Sequence, residues 1–160
     1  MSKGKRTTLL ITIIAIAACA VVYMIVFNVP RFSAGKIDMG EILDYKKFLA
    51  LMEANGFVLE DEKPEENNWF SVSGKLIVID GEPLYVYEYE SSTAMEKDSK
   101  YVDSSGFSIN NTDEGRCAQI DWVATPHWFK KDLLIVLYVG ENERMIGFLK
   151  ETFGNVFAGG

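Results

Sequence analysis

Histidine occurs once in these 160 residues, cysteine twice, and lysine and arginine are nowhere gathered into a basic stripe. Each shortage removes a class of chemistry. One histidine and no paired cysteines leave nothing resembling a zinc site, so no metal and no other cofactor is expected. Cys19 lies in an apolar run and Cys117 far along the chain, so the two are not placed to form an internal disulfide. Cys117 reads as a small buried apolar side chain rather than a nucleophile, because no histidine neighbours it in sequence. With 16 Lys and Arg against 23 Asp and Glu, the net charge of -7 and the pI near 4.8 speak against nucleic acid as a partner. Phosphate binding needs clustered cations.

What is present is ordinary globular material, 48% hydrophobic and 24% charged, in a chain long enough for one domain with an appendage. The appendage is N-terminal. Residues 7–27 carry no charge and no proline. As a helix they would be roughly 31 Å long, matching a hydrocarbon core of roughly 30 Å, so a transmembrane anchor is expected there. A cleaved signal peptide needs an apolar region of only about 7 to 15 residues. Lys3, Lys5 and Arg6 would hold residues 1–6 in the cytoplasm, although Arg31 and Lys36 reduce the asymmetry. Within the same run Ile16-Ala17-Ala18-Cys19 resembles the lipobox of bacterial lipoproteins, which offers Cys19 as an alternative, lipidated anchor. Against it, residues 20–27 stay apolar where a lipoprotein turns polar. Either anchor leaves residues 28–36 as a linker by their Pro, Ser and Gly content, and 37–160 as an extracytoplasmic domain of a single-pass cell-membrane protein. After Pro30 there are 13 Lys and Arg against 23 Asp and Glu, a net -10, so the domain is repelled by an anionic bilayer and stands off it.

The domain reads as α+β, with a mainly antiparallel sheet and about three helices. Asp38 and Glu41 suggest a capping box for a first helix that turns Ile42, Tyr45, Leu49 and Met52 inward, and Asn55-Gly56 its stop. FVLE suggests a short strand, followed by EDEKPEENN as a solvated acidic loop. GKLIVID and PLYVYEYE form a hairpin through Asp80-Gly81, the strongest local signal in the chain. A short helix follows, capped by Ser92 or Thr93, with Glu96 in its first turn and Ser104-Ser105-Gly106 at its end. FSIN and CAQIDWV are strands around NNTDEGR, whose likeness to an EF-hand fails on ligand spacing. In the second of these, Ala118, Ile120 and Trp122 share one face, which makes Trp122 a core residue. ATPHWFKKD is a loop, and LLIVLYV, which does not alternate, is a central strand buried on both faces. ENERMIGFLKETFG closes the domain as a helix with Met145, Ile146, Leu149 and Phe153 inward and Gly154 as its stop.

Five residues are candidates for a binding surface: Tyr85, Tyr87 and Tyr89 on one strand face, and His127 and Trp128 in the loop. The tyrosines are half of a core face under a helix, or, if exposed on a flat sheet, a stacking surface for a sugar or peptide. Histidine is a common general base, yet the sequence names nothing for His127 to activate and no group to orient it, so it is expected to pack against Trp128 or cap the loop. No catalytic residue is assigned.

From LYVYEYESSTAMEKDS through IDWV, PHWFKK and LIVLYVGEN to FGNVFAGG, the chain resembles a family of small, uncharacterised, membrane-anchored or lipoprotein-like proteins of Gram-positive bacteria. The resemblance covers roughly Phe70 onward and implies an extracytoplasmic place, a lipobox in many relatives and no activity. The expected function is a membrane-tethered domain, held in the bilayer through residues 7–27, that binds or assists another envelope component, a protein or a glycan. A small envelope enzyme built around His127 and a carbohydrate-binding module built on the tyrosines are the alternatives.

Overall fold

Asp80 and Gly81 take φ of 49° and 77°, the two positive angles of a tight hairpin turn, and the strands they join run in unbroken register from Ile79↔Glu82 to Gly74↔Tyr87. The rest of the domain is built outward from this hairpin. The structure, a computed structural model, describes residues 41–160. The anchor at residues 7–27, the linker at 28–36, Cys19 and Asp38 lie outside the described residues.

In chain order the elements are α1 (Tyr45–Ala54), β1 (Leu59–Pro64), β2 (Gly74–Ile79), β3 (Glu82–Glu88), α2 (Ser92–Ser99), β4 (Ser108–Asn111), β5 (Arg116–Gln119), β6 (Pro126–Lys131), β7 (Leu134–Val139), α3 (Glu143–Phe153) and β8 (Ala158–Gly159). Six strands form one antiparallel sheet in the order β1-β2-β3-β7-β6-β8, and β4 and β5 pair separately. The expected α+β class, antiparallel sheet and three helices are all found.

The sheet separates two cores. On one face Leu134, Val136 and Tyr138 of β7 meet Phe48 and Met52 of α1 and Met145, Leu149 and Phe153 of α3. On the other face Ile135 and Leu137 meet Tyr87, Trp128, Phe70, Ile109 and Met95, the last from α2. This explains why LLIVLYV does not alternate: both its faces are covered.

Several boundaries differ from expectation, each for a local reason. The cap of α1 is Asp44, whose carboxylate accepts from the Lys47 amide, so Ile42 precedes the helix and is exposed. Phe48 takes the central core place and Leu49 is only half-buried. EDEKP belongs to β1 rather than to a loop. All six β1 residues are exposed, and a strand wet on both faces shows no apolar alternation to read. Helix α2 is capped by Ser91 and ends at Ser99, which places Glu96 beyond the first turn, where it pairs with Lys130. Strand β5 stops at Gln119, so Trp122 stands in a loop, half-buried, and Cys117 is exposed rather than buried.

The largest correction is β6. PHWFKK is a strand, paired with β7 from Pro126↔Val139 to Lys131↔Leu134, and the loop shrinks to Asp132-Leu133 with Asp132 at φ 51°. Pro126 is its first residue, one of the few places a sheet admits proline. Helix α3 is as read, with Phe148 added to its buried face and Ile146 half-buried; Asn142 caps it and Gly154 at φ 92° ends it.

Candidate functional site

Antiparallel register places opposed side chains on one face, so the second face of the sheet can be read row by row. One row runs Gly74, Tyr87, Ile135, Lys130, and the next runs Lys63, Leu76, Tyr85, Leu137, Trp128, Ala158. Helix α2 packs over β6 and β7, and with it the first of these rows is closed. The cover stops short of the β2–β3 hairpin. Leu76, Val78, Tyr85 and Val139 remain half-buried there, and Pro83 is exposed.

Trp69, from the loop between β1 and β2, and Trp122, from the loop between β5 and β6, border this opening. Their rings meet edge-to-face, with centroids 5.9 Å apart at 87°. Trp69 also meets Tyr85 at 6.5 Å and 44°. All three rings are half-buried. Trp122 is held from behind, since its indole N–H donates to the Gly106 carbonyl at 2.9 Å.

Glu65, 8% exposed, follows β1 and donates its amide to the Gly74 carbonyl of β2, in the row that holds Tyr87. Its Oε1 accepts from the Asn67 amide at 2.8 Å and from Asn67 Nδ2 at 2.6 Å, while Oε2 accepts only a long 3.3 Å bond from the Tyr87 hydroxyl. Among the described residues it has no ion-pair partner. Tyr85 has its pKa raised, first by burial and then by the Glu65 charge; Tyr87 is raised further for the same two reasons. A second buried carboxylate, Asp98, accepts from the Ser71 amide and hydroxyl, both at 2.7 Å.

Of the five candidates for a binding surface, Tyr85 alone is reachable, and the core reading of the tyrosine face holds for the other two. Tyr87, Tyr89 and Trp128 are at most 2% exposed and belong to the second core. Tyr89 faces Asp98, and burial followed by that negative charge pushes its hydroxyl pKa up, although the hydroxyl makes no hydrogen bond of regular geometry. Stacking of a sugar on three exposed tyrosines is therefore not what this face provides.

His127 is 6% exposed and points to the opposite face from Trp128, so the expected packing between the two is replaced by another. Its ring stacks on Tyr138 at 5.9 Å and 19°, and Nε2 donates to the Gly140 carbonyl at 3.0 Å. Nδ1 makes no hydrogen bond among the described residues. The ring is oriented, but its one bonded partner is a carbonyl rather than a hydroxyl or carboxylate. His127 and the tyrosine face are thus two separate places, one on each side of the sheet.

Sequence reading did not find Glu65 or Trp69. The available signal was an aromatic pair, Trp69-Phe70, set between asparagines and serines, since a tryptophan in turn-forming surroundings has no strand core to fill. Among the described residues no helix is long and apolar enough to cross a membrane, and no three His, Cys, Asp or Glu side chains converge as a metal site. No protein-family model, no curated protein and no solved structure matches the chain.

Proposed function

We propose that the chain is a membrane-tethered, extracytoplasmic binding domain that grips a protein partner of the cell envelope at the open end of its second sheet face. The observation that carries the reading is the half-buried trio Trp69, Tyr85 and Trp122 beside Leu76, Val78, Pro83 and Val139. Contiguous exposed apolar surface with aromatic anchors and a polar rim is how protein-binding sites are built. The tether is the uncharged run at residues 7–27, with residues 1–6 in the cytoplasm; the resemblance to anchored and lipidated proteins of Gram-positive bacteria supports the same placement.

The test is a photocrosslinking amino acid in place of Tyr85 or, on the opposite side, Glu53, in intact cells. Capture of a defined protein from position 85, absent from position 53 and abolished by Val78→Asp, is expected. Equal capture from both positions, no capture, or capture of glycan alone would overturn the reading.

A further inference from the structure

We propose that the free edge of β1 and the apolar groove between β1 and α1 together hold an extended, cationic peptide segment of another protein. The segment pairs with β1 as a further strand of the sheet and puts one large apolar side chain into the groove. The groove lies on the α1 side of the sheet and Tyr85 faces the other side, so the inference is independent of the aromatic face. Glu53 lines the groove, and a polypeptide caught from position 53 would be this segment rather than the protein read from position 85.

The first observation is the edge. β1 is the outermost strand of the six-stranded sheet and has a partner on one side only. The Glu65 amide donates to the Gly74 carbonyl at 2.9 Å, so alternation turns the backbone of Lys63 and Asp61 toward β2 and that of Glu62 and Pro64 outward. Two details agree with that direction. The Glu62 amide is taken by the neighbouring Asp61 carboxylate at 2.9 Å rather than by a strand carbonyl. Pro64, which has no N–H to donate, costs the ladder nothing when it faces out. Backbone donors and acceptors in a row on a sheet edge are a template for one kind of ligand, another extended backbone.

The second observation is a cavity of about 570 Å³ beside the start of the same strand. Leu49 and Met52 of α1 line it from one side, and Phe57, Leu59 and Ile79 from the other. Val58 and Leu59 are 61% and 45% exposed, so apolar surface stands open at its mouth. Leu59 opposes Ile79 and shares its face, the α1 side. A strand laid along β1 sends every second side chain to that side, where the groove can take a leucine.

Charge then selects the occupant. Glu53, Glu60 and Asp61 are exposed and form no ion pair among the described residues, with Lys46 and Lys63 offsetting them in part. The chain after Pro30 carries a net -10, which draws cations to the domain as a whole. A second copy of β1 does not fit, because antiparallel self-pairing about its middle would set Asp61 against Glu62. An apolar residue flanked by cations does.

The experiment uses the isotope-labelled, full-length protein in nanodiscs of neutral phospholipid, with no free detergent to fill the groove, and reads binding by NMR. The probe is the peptide acetyl-Lys-Thr-Leu-Thr-Lys-amide. Saturable shifts of the Leu59 and Glu62 amides and of the Met52 methyl are expected, with the Trp122 indole unmoved. Serine in place of the peptide's leucine, or glutamate in place of both its lysines, should weaken binding about tenfold. N-methylation of the peptide at leucine or at the threonine that follows should differ in effect about tenfold, since successive amides of an added strand point alternately to β1 and to water. Leu49→Ser should weaken binding about tenfold at an unshifted melting temperature; should the melting temperature fall, the two N-methylated peptides, which leave the protein untouched, decide. Equal binding of the serine peptide would leave the groove unused, equal effects of the two N-methylations would leave the edge unused, and equal binding of the glutamate peptide would leave the charge without a role. Any one of these, or no saturable shift up to about 10 mM peptide, would overturn the proposal.

Discussion

Trp122 and Trp128 donate their indole N–H groups to the same acceptor, the Gly106 carbonyl, at 2.9 and 3.1 Å. Their energetic roles nonetheless differ, because Trp128 is 0% exposed in the middle of the sheet and Trp122 is half-buried in a loop. Trp128→Ala should open a cavity costing about 3–5 kcal/mol, while Trp122→Ala should cost about 1 kcal/mol, and urea denaturation would read the difference. Equal midpoints would show that the loop tryptophan is core after all. The tyrosines set the alkaline limit. Burial, and then nearby carboxylates, raise the pKa of Tyr87 and Tyr89 in the folded state above the ordinary 10.0. The sign follows: stability is full below about pH 10, and is lost as the pH rises further, because the unfolded phenols ionise first. Phenolate absorbance should therefore appear together with loss of near-UV ellipticity rather than ahead of it. The common face of the three tyrosines and its place in a core were legible from alternation, but not that Tyr85 stays half-buried while Tyr87 and Tyr89 are covered. Strand period tells which side a residue faces, and only the path of the loop carrying Trp69 and Phe70 decides how far along that side the cover extends.

Elements were legible where one physical rule dominated. The Asp-Gly turn between β2 and β3, the doubly buried β7 and the amphipathic α3 each follow from local chemistry, and each was found. β1, expected only as far as Glu60, and β6, expected as a loop, were misread for opposite reasons, while the two-residue β8 was too short to carry a pattern. β1 has only exposed residues, so its pairing with β2 rests on backbone hydrogen bonds and on Lys75–Glu62 at 2.6 Å rather than on a hydrophobic pattern. β6 carries Pro126 and two lysines, which read as loop chemistry, and it becomes a strand because β7 supplies a complete partner. Ile135 pairs with Lys130 on one side and Tyr87 on the other, and its side chain is 0% exposed. Ile135→Asp should unfold the domain by burying an unpaired charge, whereas Gln119→Asp on exposed β5 should shift the melting temperature little. Comparable melting temperatures for the two variants would remove β7 from the centre of the sheet.

For the whole molecule, the decisive prediction is topological. Protease added to intact protoplasts should remove the domain and spare residues 1–6, as the flanking cations imply. Protection of the domain would reverse the orientation. Intact mass of the membrane-bound form separates the two anchors, since lipidation at Cys19 deletes residues 1–18 and adds acyl chains. The helix-covered core has a further consequence, one of timing. Phe48 of α1 meets Phe153 of α3 at 5.4 Å, and Phe57 meets Phe148 at 5.0 Å, so this core joins segments roughly a hundred residues apart in the chain. At ribosomal speeds α1 waits about 5–20 s for α3 to be synthesised, with Phe48, Met52 and Phe57 lacking the α3 side of their packing throughout that interval. A nascent chain of this kind invites a holdase before its last helix arrives, and ribosome-stalled chains cut before Glu143 should be far more sensitive to protease than chains that extend past Phe153.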